Sequence, residues 1–205
     1  MFNLNKEELE ILKKLDSPKK IQDFLNILEV NFEEEGETCM SPRRVLQTGK
    51  CHCIEGAILA YLCFKLNNQE AWLVDLRATK DDFDHVICVF KKGEHYGCVS
   101  KSNHAAHRYR EPIYRDVREI VMSIFHEYID KTGKKNLRSF SVPVDLEKLD
   151  FPNWAIDEED LWEIGAYLDD VEHSDILTRG QIASLRKADP VEIEAGNVVE
   201  WEKKK

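Results

Sequence analysis

The 205-residue chain is 42% hydrophobic and 33% charged, with nine glycines and six prolines, which excludes disordered, fibrous and disulfide-dense classes and suffices for one large domain with a buried core. A formal net charge of −10 argues against a nucleic-acid partner, because phosphate-backbone affinity comes from clustered Lys and Arg. The start Met1-Phe2-Asn3-Leu4-Asn5-Lys6 leads into a charged helix and no stretch nears roughly 18 apolar residues, so the expectation is a cytoplasmic protein with no membrane partner and reduced thiols at all six cysteines.

In chain order, Leu9, Ile11, Leu12 and Leu15 predict a helix over 7–15, and Ser17-Pro18 opens a second with Ile21, Phe24, Leu25 and Leu28 on one face. The run Glu33-Glu34-Glu35-Gly36-Glu37 reads as a solvated turn, and Ser41-Pro42 starts a short helix through Leu46. After the break at Thr48-Gly49-Lys50, residues 51–66 are apolar on most faces, as in a helix buried mid-domain. Alternation then predicts strands over 71–77, 84–91 and 95–100. Helical spacing returns over 112–128 and stops at Gly133, and the tail suggests helices over 158–168 and 176–187, with Trp154, Trp162 and Trp201 packing on the core. The fold class is α+β: N-terminal helices over 1–48, a central helix on an antiparallel sheet within 49–135, and a C-terminal helical extension over 136–205.

A thiol becomes a strong nucleophile only as thiolate, which a helix N-terminus favours. Cys51 and Cys53 both qualify, but on an ideal helix they project about 200° apart, and Cys53 has the small residues Ala57 and Ala60 beneath it. Its partner must be a base, and His85 heads the otherwise apolar strand His85-Val86-Ile87-Cys88-Val89-Phe90. Taking Lys92-Gly93 as a two-residue hairpin loop pairs Lys91 with Glu94, Val89 with Tyr96, Ile87 with Cys98 and His85 with Ser100. Ser100 would then hold the imidazole in one tautomer. Thiol, imidazole and orienting group together suit acyl transfer through a thioester.

In these residues the chain resembles the transglutaminase-like superfamily of the papain-like cysteine hydrolase fold. The nucleophile segment is similar to Gly49-Lys50-Cys51-His52-Cys53-Ile54-Glu55-Gly56-Ala57, the histidine strand to 85–90 and the strand carrying the third residue to 96–100, about a third of the chain. Ser100 stands where that family usually has Asp, and Tyr96 where it often has Trp. The resemblance implies catalytic roles for Cys53, His85 and Ser100, with Asn103 a substitute orienter, and no cofactor. It also implies an oxyanion donor near Gln47, six residues before Cys53, although a Gln ending a short helix usually faces water. The expected substrate is a peptide, a protein or a small amide or ester.

Two other readings stand beside this one. Cys51, His52 and Cys53 with His104 and His107 offer zinc ligands, but the Cys-His-Cys spacing diverges from paired structural-zinc spacing. A catalytically inactive domain of the same fold would use Cys53 and His85 as core residues and act as a protein- or ligand-binding module. Arg108, Arg110, Arg115 and Arg118 are expected to pair with the surplus carboxylates.

Overall fold

The structure, a computed structural model, describes residues 2–203. Helix α1 (Lys6–Lys14) opens with a capping box in which Asn5 accepts from Glu8 N–H and Glu8 accepts from Asn5 N–H. Helix α2 (Pro18–Ile27) carries proline in its first turn, where a missing N–H costs nothing. Strand β1 (Glu29–Val30) follows. Helix α3 (Pro42–Thr48) ends on Gly49, whose φ of 68° turns the chain into β2 (Lys50–Cys51), paired parallel to β1.

Helix α4 (Cys53–Leu66) is buried without interruption from Glu55 to Phe64. Its Ile58, Leu59, Leu62 and Phe64 are fully inaccessible, each a stabilisation of about 1.5–3 kcal/mol. The chain continues through β3 (Ala71–Arg77), β4 (His85–Lys92), β5 (His95–Val99), β6 (Arg110–Tyr114), α5 (Val117–Phe125), β7 (Ser139–Ser141), α6 (Trp162–Asp170), β8 (His173–Asp175), α7 (Arg179–Ala183) and α8 (Pro190–Gly196). Six strands form one antiparallel sheet in the order β6-β5-β4-β3-β7-β8.

Side chains alternate across this sheet. Leu73, Cys88 and Phe90 join α4 and the N-terminal helices in one core, while Val74, Ile87 and Val89 join α5 in a second core on the opposite face. Coverage on both faces explains why β4 reads as a continuous apolar run. Among the described residues no helix is long and apolar enough to cross a membrane.

The structure departs from the expected elements in three places. The helix expected over 112–128 begins only at Val117, capped by Asp116, because Arg110–Tyr114 forms edge strand β6. An edge tolerates Pro112, and Gly97 allows the contact: a Cβ there would lie 2.6 Å from Arg110 O and 3.0 Å from Pro112 N. Second, 136–205 is not purely helical, since β7 and β8 extend the sheet beyond β3 and the helix expected over 176–187 contracts to α7. Strands of three residues have too few positions for a periodic signal. Third, Lys92 pairs with His95, Val89 with Cys98 and Cys88 with Val99, so the hairpin loop is Gly93-Glu94. The two-residue slip keeps every side chain on its face. Trp154 packs its ring on Phe2 and Tyr61 as expected, whereas Trp162 is half exposed.

Candidate active site

Cys53 is the first residue of α4, and its position is set from behind. Strand β2 is anchored on β1, with Asn31 N–H donating to Cys51 O at 3.1 Å. In front, Gly56 lets the first turn of α4 lie against the chain leaving β5, since a Cβ at Gly56 would sit 2.7 Å from Lys101 Cβ. Lys101 is itself buried, its ammonium donating to Leu25 O and Leu28 O at the end of α2. That close approach carries the thiol to the end of the sheet where β4 begins with His85.

His85 and Ser100 are buried, and His85 Nε2 lies 2.7 Å from Ser100 Oγ. The corrected register makes this a diagonal contact, one step beyond the end of β5. Ser100 is clamped by Gln22 of α2, which accepts from Ser100 N–H and donates to Ser100 O, both at 3.0 Å. With Nε2 committed to Ser100, Nδ1 is the ring nitrogen left for the thiol.

Burial pushes the Cys53 thiol up, but hydrogen bonds to His52 and His85 and their charge outweigh it and bring it down to about 5. The other thiols go the opposite way: burial raises Cys39, Cys51 and Cys98 to about 12, and Cys63 and Cys88 also rise through burial. His52, the residue before the helix, has Nδ1 4.0 Å from Cys53 Sγ and Nε2 2.9 Å from Thr38 O. Burial pulls its imidazole down, yet hydrogen bonds to Cys53 and Glu55 raise it to about 11.

Glu55 is completely inaccessible. It accepts from Thr38 Oγ1 at 2.7 Å, from Met40 N–H at 2.9 Å and from His52 N–H at 2.9 Å, and its Oε1 is 3.3 Å from His52 Nε2. Burial works against its charge, and these partners hold its carboxyl below the ordinary value. Its own N–H faces the His52 ring in capping-box fashion without completing a side-chain cap hydrogen bond.

The thiol opens into a cleft of about 580 Å³ whose walls include Phe83, His85, His107, Tyr128 and Asn197. Phe83 projects from its lip, 89% exposed. The His107 ring lies 5.6 Å from that of His85 and stacks on Tyr128 at 4.5 Å. Burial, and then the charge of His85, lower His107 to about 3, and its buried Nε2 has no hydrogen-bond partner.

His85 and Ser100 are in contact and Cys53 shares a cleft with His85, and the other expected participants do not join them. Asn103 spends both ends of its amide on the Trp201 backbone, donating to Trp201 O at 3.0 Å and accepting from Trp201 N–H at 2.8 Å. Gln47 is exposed on α3 and does not line the cleft. The Cys/His zinc set does not converge: Cys51 turns toward Gly56 and Lys101, and His104 Nδ1 is bound to Gly196 O at 2.8 Å. Among the described residues the metal-competent side chains that cluster are Asp75, Asp84 and Asp169. Arg108, Arg110 and Arg115 pair with Glu200, Glu127 and Glu119, and Arg118 donates to Ile176 O.

Residue-by-residue reading missed His52, Glu55 and Gln22 as parts of the site. Glu55 carried a usable signal, since a carboxylate inside an apolar helix needs a partner and position 55 is three residues past the cap. Neither a family model nor a curated protein matches the sequence.

Proposed function

We propose that the chain catalyses cysteine-dependent acyl transfer, by hydrolysis or transfer to an amine, in a site of the transglutaminase-like, papain-like kind. The observation that carries this reading is Cys53 at a helix N-terminus, lining one cleft with His85, whose far nitrogen is held by Ser100 at 2.7 Å; the lowering of its thiol agrees with it. The order of α4 followed by β3, β4 and β5 supports it, because in that layout the helix supplies the nucleophile and the strands supply base and orienter.

Chemically, Cys53 Sγ attacks the carbonyl carbon of an amide or ester. The Cys53 N–H, at the first position of α4 and without an intrahelical acceptor, faces the developing oxyanion. Collapse breaks the bond to the leaving group, which takes a proton from His85, and the resulting thioester is opened by water or an amine that returns a proton to His85. Ser100 accepts a hydrogen bond from the ring and fixes its orientation, and the apolar surfaces of Phe83 and Tyr128 suit a peptide-like or acyl substrate.

The test is acyl trapping. Incubation with p-nitrophenyl acetate is expected to give a burst of nitrophenol with acetyl found on Cys53 by peptide mass spectrometry, and Cys53→Ser should abolish both. Acetyl spread over lysines, with an equal rate in Cys53→Ser, would favour a binding domain instead.

A further inference from the structure

We propose that His52 is a second catalytic imidazole, a fixed cation that holds Cys53 as thiolate while His85 alone carries protons, and that the buried carboxylate of Glu55 positions it. This rests on the acyl-transfer reading and assigns roles inside that site.

The hydrogen-bonding surroundings of His52 carry the argument. Around Nε2 stand three oxygens that can only accept: Thr38 O at 2.9 Å, Glu55 Oε1 at 3.3 Å and Glu33 Oε1 at 3.6 Å. Nδ1 lies 4.0 Å from Cys53 Sγ, which accepts from it once the sulfur is ionised. A wholly buried carboxylate beside Nε2 calls for a positive partner, and with Cys53 ionised the ring answers it by carrying both protons, against the Glu55 N–H that also faces it. The helix N-terminus opposes a cation at this position, and Glu55, three residues on and wholly buried, offsets that with a full negative charge. The titratable groups facing the pair are Glu33 and Glu55 around His52, His85 and Tyr128 beside Cys53, and the thiols Cys39 and Cys51.

His85 is built differently. Its orienter is the neutral hydroxyl of Ser100, which stabilises an imidazolium less than a carboxylate does. The carboxylate of this site stands behind His52 instead. That separates two jobs: fixed charge beside the sulfur, and a histidine free to change its proton.

In the cycle the Sγ–C bond forms as the C–N or C–O bond breaks, and His85 gives its Nδ1 proton to the departing atom. The attacking water or amine then bonds to the carbonyl carbon as C–S breaks, and its proton goes to His85. Sulfur leaves as thiolate against His52, whose protons do not move.

The experiment follows the pH dependence of Cys53 ionisation, by thiolate absorbance and by iodoacetamide rate, in wild type, His52→Gln, His85→Ala and Glu55→Gln, with Cys53→Ser as blank. Glutamine can still donate to Thr38 O, so His52→Gln removes the charge and little else. Wild type is expected to ionise near pH 5. His52→Gln should move the inflection up by about two pH units or more, toward the ordinary thiol value. His85→Ala should move it less while abolishing turnover, and Glu55→Gln should shift it in the direction of His52→Gln. If Glu55→Gln does not fold, the comparison of the two histidine variants stands alone. An inflection moved at least as far by His85→Ala as by His52→Gln, with wild type still low, overturns this assignment and leaves the Cys53–His85 reading standing. A wild-type inflection near 9 overturns both.

Discussion

Limiting iodoacetamide added to the native protein at pH 7 should mark one cysteine of six. With its thiol near 5, Cys53 is almost entirely thiolate at that pH, whereas a thiol near 12, such as Cys39, Cys51 or Cys98, has a thiolate fraction of roughly 10⁻⁵. The low value also weakens the nucleophile: with a Brønsted slope of about 0.4–0.5, the gap of about seven returns roughly 10³ of that advantage. A preference of about 10² remains before access is considered. Access acts in the same direction, since the other five cysteines are at most 2% exposed and Cys53 is only partly buried.

The assay is a time course of labelling resolved by peptide mass spectrometry from pH 4 to 9. The Cys53 thiol is lowered in the folded state, so its thiolate is present above about pH 5 and is lost as pH falls through that value. Labelling of Cys53 should be nearly flat from pH 9 to 6 and drop below about 5. A Cys53 rate within tenfold of the others in folded protein, or one still rising between pH 7 and 9, would show that Cys53 is not held as a thiolate.

Ser100→Ala removes one hydrogen bond from His85 and should cost about 0.5–1.5 kcal/mol of transition-state stabilisation, roughly two- to thirteenfold in turnover of an activated ester, with the Cys53 labelling rate nearly unchanged. Gly97→Ala places a methyl 2.6 Å from Arg110 O and should destabilise the fold by about 1–3 kcal/mol, read as a lower denaturant midpoint with an unchanged slope. Gly56→Ala meets Lys101 Cβ at 2.7 Å and should combine a similar loss with slower Cys53 acylation, because the first turn of α4 must move away from His85. His107 is lowered to about 3, so the folded state resists its protonation and stability falls as pH drops below the ordinary imidazole value near 6.5. His107→Asn, whose side chain tolerates the φ of 58° there, should narrow the fall in melting temperature between pH 7 and 5.

The helical start, the buried central helix, the first three sheet strands and the nearness of His85 to Ser100 were legible in the sequence. Each rests on a local cue that tertiary packing did not override: proline after serine at a helix start, the all-apolar 51–66 segment, period-two alternation, and a lone histidine heading an apolar strand. Ser100 was found through a register two residues off, and it survived because such a slip keeps faces intact. Tertiary structure alone decided the rest. Strand β6 pairs on the edge of β5, β7 on the edge of β3 and β8 in turn on β7, and nothing in Arg110–Tyr114 or Ser139–Ser141 announces a partner. The surroundings of His52 were also hidden, because Thr38 O and Glu33 reach its Nε2 from a loop that only the folded chain brings to it.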